Sequence, residues 1–107
     1  MRVSKYRIMP KNLKYPKSEY TLEGFEKARA KGKKYSAIIR NKTTGRKKKI
    51  NFGASDMEQY KDSTGLGLYS SKDHGDKKRR DNYRKRHKTY YSPDHYSSAY
   101  MSWNYLW

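Results

Sequence analysis

The histidines and their acidic neighbours are the residues best suited to chemistry in this chain. His74, His87 and His95 stand 13 and 8 residues apart, and neither interval places two imidazoles on one metal ion by a known ligand pattern. There is no cysteine, which removes thiolate ligands, a thiol nucleophile and any disulfide framework. Asp73-His74-Gly75-Asp76 offers three ligand-type side chains in four residues. It lies just before a helical stretch, however, where an aspartate is expected as a cap. Neither a metal nor any other cofactor is expected.

A basic chain also invites comparison with nucleases. A hairpin followed by a helix is the order of the ββα-metal enzymes, but those need a general-base histidine on the hairpin, and none is present there. Arg84-Lys85-Arg86-His87 carries the residue types of recombinase chemistry in a chain too short for that fold. No serine, threonine or aspartate has a base and an orienting acid at a readable spacing. Gly65 and Gly67 lack the strand-to-helix setting of a phosphate loop. No catalytic residue is assigned, and the chain is expected not to be an enzyme.

What remains is charge interleaved with rings. Arg2, Lys5, Arg7, Lys11, Lys14 and Lys17 occupy residues 1–18 without a single acid, and Arg46-Lys47-Lys48-Lys49 forms a second basic run. Such cations can neutralise phosphates, and tyrosines between them can stack on bases. These ten residues are the expected polyanion contacts. A solvated edge strand, protected by lysines against sheet-to-sheet pairing, accounts for the second run equally well. No RNA-recognition, KH or zinc-finger pattern occurs, so binding would carry little sequence information.

Elements must position these groups. Pro10 and Pro16 make residues 1–18 an extended arm. Thr21 reads as the cap of a short helix burying Leu22, Phe25 and Ala28 and ending at Gly32, with Gly24 against it. Lys34 to Gly53 reads as a β-hairpin: Tyr35, Ala37 and Ile39 alternate on one strand, Ile50 and Phe52 on the other, and Asn41 to Gly45 supply the loop. Residues 54–71 read as loop. Asp76 then caps a helix over Lys77 to Lys88, with Asp76–Arg80 and Asp81–Lys85 at the favourable i,i+4 spacing. That helix has no aliphatic residue, so Tyr83, His87 and the carbon stems of Arg79, Arg80 and other cations must pack it. A last helix begins at Ser97 or Ser98 and aligns Tyr96, Tyr100, Trp103 and Trp107 on one side. The expected class is α+β: an arm over 1–18, and over 19–107 one small domain holding the hairpin, the basic helix and the aromatic helix.

Composition sets the limits. The 107 residues allow one domain, with 27 Lys and Arg against 10 Asp and Glu and a net charge of +17. Leu, Ile, Val and Phe number 12, about 11% of the chain and well under the ~20% below which highly charged chains are commonly disordered. Twelve tyrosines and two tryptophans offset this with large, stiff, buriable rings. A thin tyrosine-built core completed by partners is therefore expected, with Tyr83, His87, Tyr100, Trp103 and Trp107 as core or partner anchors. No apolar run is long enough to cross a membrane, and residues 1–10 lack the apolar stretch of a signal peptide.

Two stretches carry a resemblance. Lys33-Lys34-Tyr35 through Asn51-Phe52-Gly53-Ala54 is similar to a "KKY … FGA" hairpin. Asp73 to Arg80, Tyr83 and Arg86-His87, followed by Tyr96-Ser97 and Tyr105-Leu106-Trp107, continue the pattern. Together, over residues 33–107, they resemble a family of short basic proteins encoded by large double-stranded DNA viruses of algae and protists. That family has a longer spacer between its basic helix and aromatic end than Lys88 to Asp94 provides here. The resemblance names no activity. It implies a minor structural protein on the inner face of a virion shell, made in the infected cell, with capsid proteins as partners and DNA or anionic lipid head groups as polyanions. The alternative is a sequence-tolerant nucleic-acid-binding protein of genome-condensing or ribosomal-protein-like type.

Overall fold

The structure is a computed structural model and describes residues 14–107. Strands β1 (Tyr15–Pro16), β2 (Tyr20–Lys27), β3 (Lys33–Asn41) and β4 (Lys47–Ala54) are followed by helix α1 (Lys77–His87), strand β5 (His95–Tyr96) and helix α2 (Ser98–Tyr105). The order β2-β3-β4 makes an antiparallel three-stranded sheet, and β1 pairs with β5 in a second, two-stranded sheet. The fold is α+β, with the expected hairpin, basic helix and aromatic helix. Of the arm, residues 1–13 lie outside the described residues.

One element is corrected. Residues 20–27 form strand β2 rather than a helix capped by Thr21. The register slips between Leu22 and Gly24, so Leu22 faces Ile39 and Phe25 faces Ala37. A bulge adds a residue to one strand, which lets side chains three apart share a face. That i,i+3 spacing imitates a helix in the sequence. Strand β2 ends at Lys27, and Gly32 is a glycine of the turn before β3, with φ +82°, not a helix stop.

The hairpin follows from alternation. Tyr35, Ala37, Ile39 and Phe52 are fully buried, with Ile50 nearly so. Tyr35 opposes Phe52 and Ala37 opposes Ile50. At the turn Asn41 accepts from the Thr43 and Thr44 amides at 2.8 and 2.9 Å, and Gly45 takes φ +74°. Helix α2, capped by Ser97 through the Tyr100 amide at 3.1 Å, closes the core. Its fully buried residue is Met101, joined by Leu106 just beyond, and Tyr105 meets Phe25 edge-on at 4.7 Å between ring centroids. The inward side of this helix is thus Met101 and Leu106, not the Trp103 and Trp107 stripe expected.

A buried polar network orders the long segment between β4 and α1. Lys34, 1% exposed, donates to the Met57 carbonyl at 2.7 Å and to Gln59 Oε1. Gln59 Nε2 donates to the Tyr69 carbonyl at 2.8 Å and to Asp73 Oδ1 at 2.6 Å. Asp73 Oδ1 also accepts from the Asp62 amide, and Asp62 Oδ2 accepts from the Tyr35 hydroxyl. Burial pushes the Lys34 pKa down, and the nearby Lys72 adds to the effect. The amides of Lys61 and Ser63 bond the carbonyls of Leu106 and Tyr105. A network satisfied at each member rigidifies its surroundings, and this one fixes the start of α1.

Candidate polyanion-binding surface

Helix α1 begins where Asp76 accepts from the Lys78 and Arg79 amides at 2.9 and 3.2 Å. Its inward side holds no aliphatic residue. Tyr83 lies between two other rings, 4.3 Å from Trp107 at 3° and 4.0 Å from His87 at 18°. The Arg80 guanidinium covers Tyr60 at 4.7 Å, and that of Arg84 covers Trp103 at 5.3 Å. Arg84 also donates to the Trp107 backbone oxygen at 3.1 Å. Packing through rings and cation stems is as expected, but the arginines used are Arg80 and Arg84. Arg79 is exposed and bridges Glu58 at 2.9 Å.

The expected i,i+4 pairs do not form. Asp76 is occupied as a cap, and Asp81 lies 3.8 Å from Arg80. Seven residues make about two turns at 3.6 per turn, so Lys78 and Lys85 line up on the outward side, with Arg86 beside them. Among the described residues, Lys77, Lys78, Lys85, Arg86 and Lys88 have no carboxylate at ion-pair distance. All five are exposed. Four of them lie on α1 and Lys88 follows directly after it.

The run on β4 is arranged differently. Strand alternation sends Lys47 and Lys49 to one side of the sheet and Lys48 to the other. Lys47 meets Glu23 at 3.3 Å, Arg40 meets the same carboxylate at 2.9 Å, and Lys49 meets Glu26 at 2.6 Å. The hydrogen bond from Lys49 holds the Glu26 carboxyl below its ordinary pKa. Lys48 and Arg46 flank a shallow hollow beside Tyr20. Four consecutive cations therefore do not make one patch.

Of the arm residues, Arg2, Lys5, Arg7 and Lys11 lie outside the described residues. Lys14 is exposed. Lys17 donates to the Tyr100 hydroxyl at 3.2 Å and sits 5.0 Å from that ring's centre. That hydrogen bond is the chief reason its pKa rises. Among the expected anchors, Trp103 stacks on Tyr91 at 4.2 Å. Tyr100 meets Tyr96 edge-on at 5.3 Å, while Tyr83, His87 and Trp107 form the stack under α1.

Beside that stack opens a cleft of about 530 Å³. The segment after β4 contributes Asp56, Met57 and Glu58, and α1 contributes Arg79, Asn82 and Arg86. Among the described residues no three histidine, aspartate or glutamate side chains converge as metal ligands, and no helix is long and apolar enough to cross a membrane. The cations of α1 and the cleft were not among the contacts expected from the sequence. The signal for the former was present, in a run whose acids are spent on a cap and on Arg80. Nothing local to residues 56–58 announces the cleft, because it needs α1 for its other wall. Compared with protein-family models, curated proteins and solved structures, the chain matches none.

Proposed function

We propose that the protein is a non-catalytic, minor structural component of a large double-stranded DNA virus particle and that it holds polyanion through the outward side of α1. One observation carries the binding part: five exposed cations on or just after α1 lack carboxylate partners. A cation already paired must break that pair to meet a phosphate. An unpaired one gives up only its hydration and releases counterions from the polyanion. Placement in a particle rests on the resemblance over residues 33–107.

The chemistry favours nucleic acid as the polyanion, bound with tolerance of sequence. Phosphate contacts position a protein without reading bases. Binding of the purified protein to unrelated duplexes, followed across a salt series, tests this. Similar affinities falling steeply with salt are expected; no binding at low salt refutes it. Mass spectrometry of purified particles tests the placement, which fails if the protein occurs only in infected-cell extract. A binding protein that is absent from particles returns the reading to a genome-condensing or ribosomal-protein-like factor.

A further inference from the structure

We infer that the cleft beside α1 receives one unpaired nucleobase, with Asp56 and Glu58 reading its amino edge and its phosphates lying on Arg86 and the outward lysines of α1. This rests on the reading that α1 meets nucleic acid and names what that same surface recognises. A volume of about 530 Å³ is within the range of small-molecule sites and ample for a base. Trp107, Tyr83 and His87 line it; Tyr83 is stacked on both faces, so the ring of Trp107 or His87 would meet the base, and aromatic rings are the usual support for unstacked bases.

The charges select among ligands. Asp56 and Glu58 stand exposed on the wall of a cleft, on a chain that carries 27 cations and 10 acids. A bare phosphate would meet both carboxylates there. A cationic side chain would meet Arg86, while Arg79 already holds Glu58 at 2.9 Å. A base is neutral, and carboxylates accept hydrogen bonds from its exocyclic amino group. Asp56 has no side-chain hydrogen-bond partner among the described residues and is exposed, so its oxygens are available. His87 Nδ1 faces the Tyr83 carbonyl at 2.9 Å. In the neutral ring that requires Nδ1–H, which leaves Nε2 as a further acceptor. Asn82 supplies both a donor and an acceptor. A paired base cannot enter, so the cleft applies only to single strands.

Cytosine presents an amino donor on its pairing edge, and thymine presents a carbonyl at the same position. The test is fluorescence anisotropy with oligo(dC) and oligo(dT) of one length, at fixed salt and mildly alkaline pH. The expected result is a dC preference of roughly three- to tenfold, the worth of one hydrogen bond. In D56A and in a D56A/E58A double variant that ratio should fall toward one. Both residues are exposed, so folding should survive, and a uniform charge effect cancels in the ratio. Equal binding of dC and dT by the wild type, or a ratio unchanged in the double variant, overturns the inference and leaves α1 binding intact. Failure to bind either strand overturns the α1 reading itself.

Discussion

Two basic surfaces of similar composition should behave differently because one is neutralised from within. In the first variant Lys78, Lys85 and Arg86 are replaced by alanine; in the second, Lys47 and Lys49. The α1 cations are exposed, and alanine is the best helix former, so the first variant should stay folded. Each phosphate contact contributes about 0.9 to the slope of log affinity against log salt, so losing three contacts flattens it by up to about 2.7. Carried from 1 M to 0.15 M salt, that is a loss on the order of a hundredfold. In the β4 variant the deleted cations were already paired with Glu23 and Glu26, and screening limits their reach to about 8 Å at physiological salt. Its slope should change by less than one contact's worth, below about 0.9. Fluorescence anisotropy on a single duplex between 50 mM and 300 mM salt measures both, with circular dichroism as the folding control. A folded α1 variant with an unchanged slope, or a β4 variant flattened as strongly as the α1 variant, refutes the reasoning.

Gly53→Ala should be costly: φ is +77° and an added Cβ would lie 2.9 Å from Leu106 Cδ1 and 3.2 Å from Lys34 Cδ. Left-handed backbone costs a non-glycine residue about 1–2 kcal/mol and overpacking about 1–3 kcal/mol more, so the urea midpoint should fall sharply; an unchanged midpoint would contradict the packing. Leu106→Ala, at a site 1% exposed, should cost about 2–5 kcal/mol. Trp103→Ala should cost less, because that ring is half-buried against Tyr91 and Arg84, and the reverse order would restore the tryptophan-centred core. Burial raises the pKa of Tyr35, Tyr83 and Tyr105. The unfolded chain then loses those protons first, so their contribution is intact below pH ~10 and is lost as pH rises through the folded values. Absorbance of tyrosinate should show a late-titrating fraction in the folded protein that disappears in urea and shrinks in Tyr35→Phe, Tyr83→Phe and Tyr105→Phe, and a single uniform titration would count against their burial.

The parts of the fold legible in the sequence were those written in local chemistry. Tyr35 to Phe52 alternate with period two, Asn41 to Gly45 have turn composition, and Asp76 and Ser97 cap the helices they precede. Strand β2 was misread because a bulge gives Leu22 and Phe25 a helical spacing. The stripe on α2 was misread because Met101 and Leu106, few and unaccompanied, are weaker periodic signals than four aromatic rings. The polyanion contacts were the least legible. A run of lysines looks the same whether its opposing strand carries glutamates or not, and Glu23 and Glu26 fall in the segment whose spacing reads as a helix rather than a strand. The "KKY … FGA" and "DHGD" stretches are now explained by packing. Lys34, Asp73 and Asp76 bear hydrogen bonds, and Gly53 gives Leu106 and Lys34 room.

In a chain of net charge +17, the few acids are more informative than the many cations. Asp62 and Asp73 belong to the network around Lys34. Asp76 caps α1, and Asp81 stands by Arg80. Glu23 and Glu26 hold the cations of the sheet. Glu23, Glu26 and Asp81 thereby remove positive surface from use, because a paired cation offers a phosphate little net gain. Among the described residues, subtracting them leaves the cations on the outward side of α1 without a carboxylate partner. Of the four acids that remain, Glu19, Asp56, Glu58 and Asp94, two face the cleft, Asp56 and Glu58, and of these Glu58 is held by a cation, Arg79. An acid lining a cleft of a cationic protein weakens attraction for every phosphate nearby. That cost is offset only if the carboxylate makes a contact of its own, and a base amino group is the partner that a surface built for nucleic acid would bring to it.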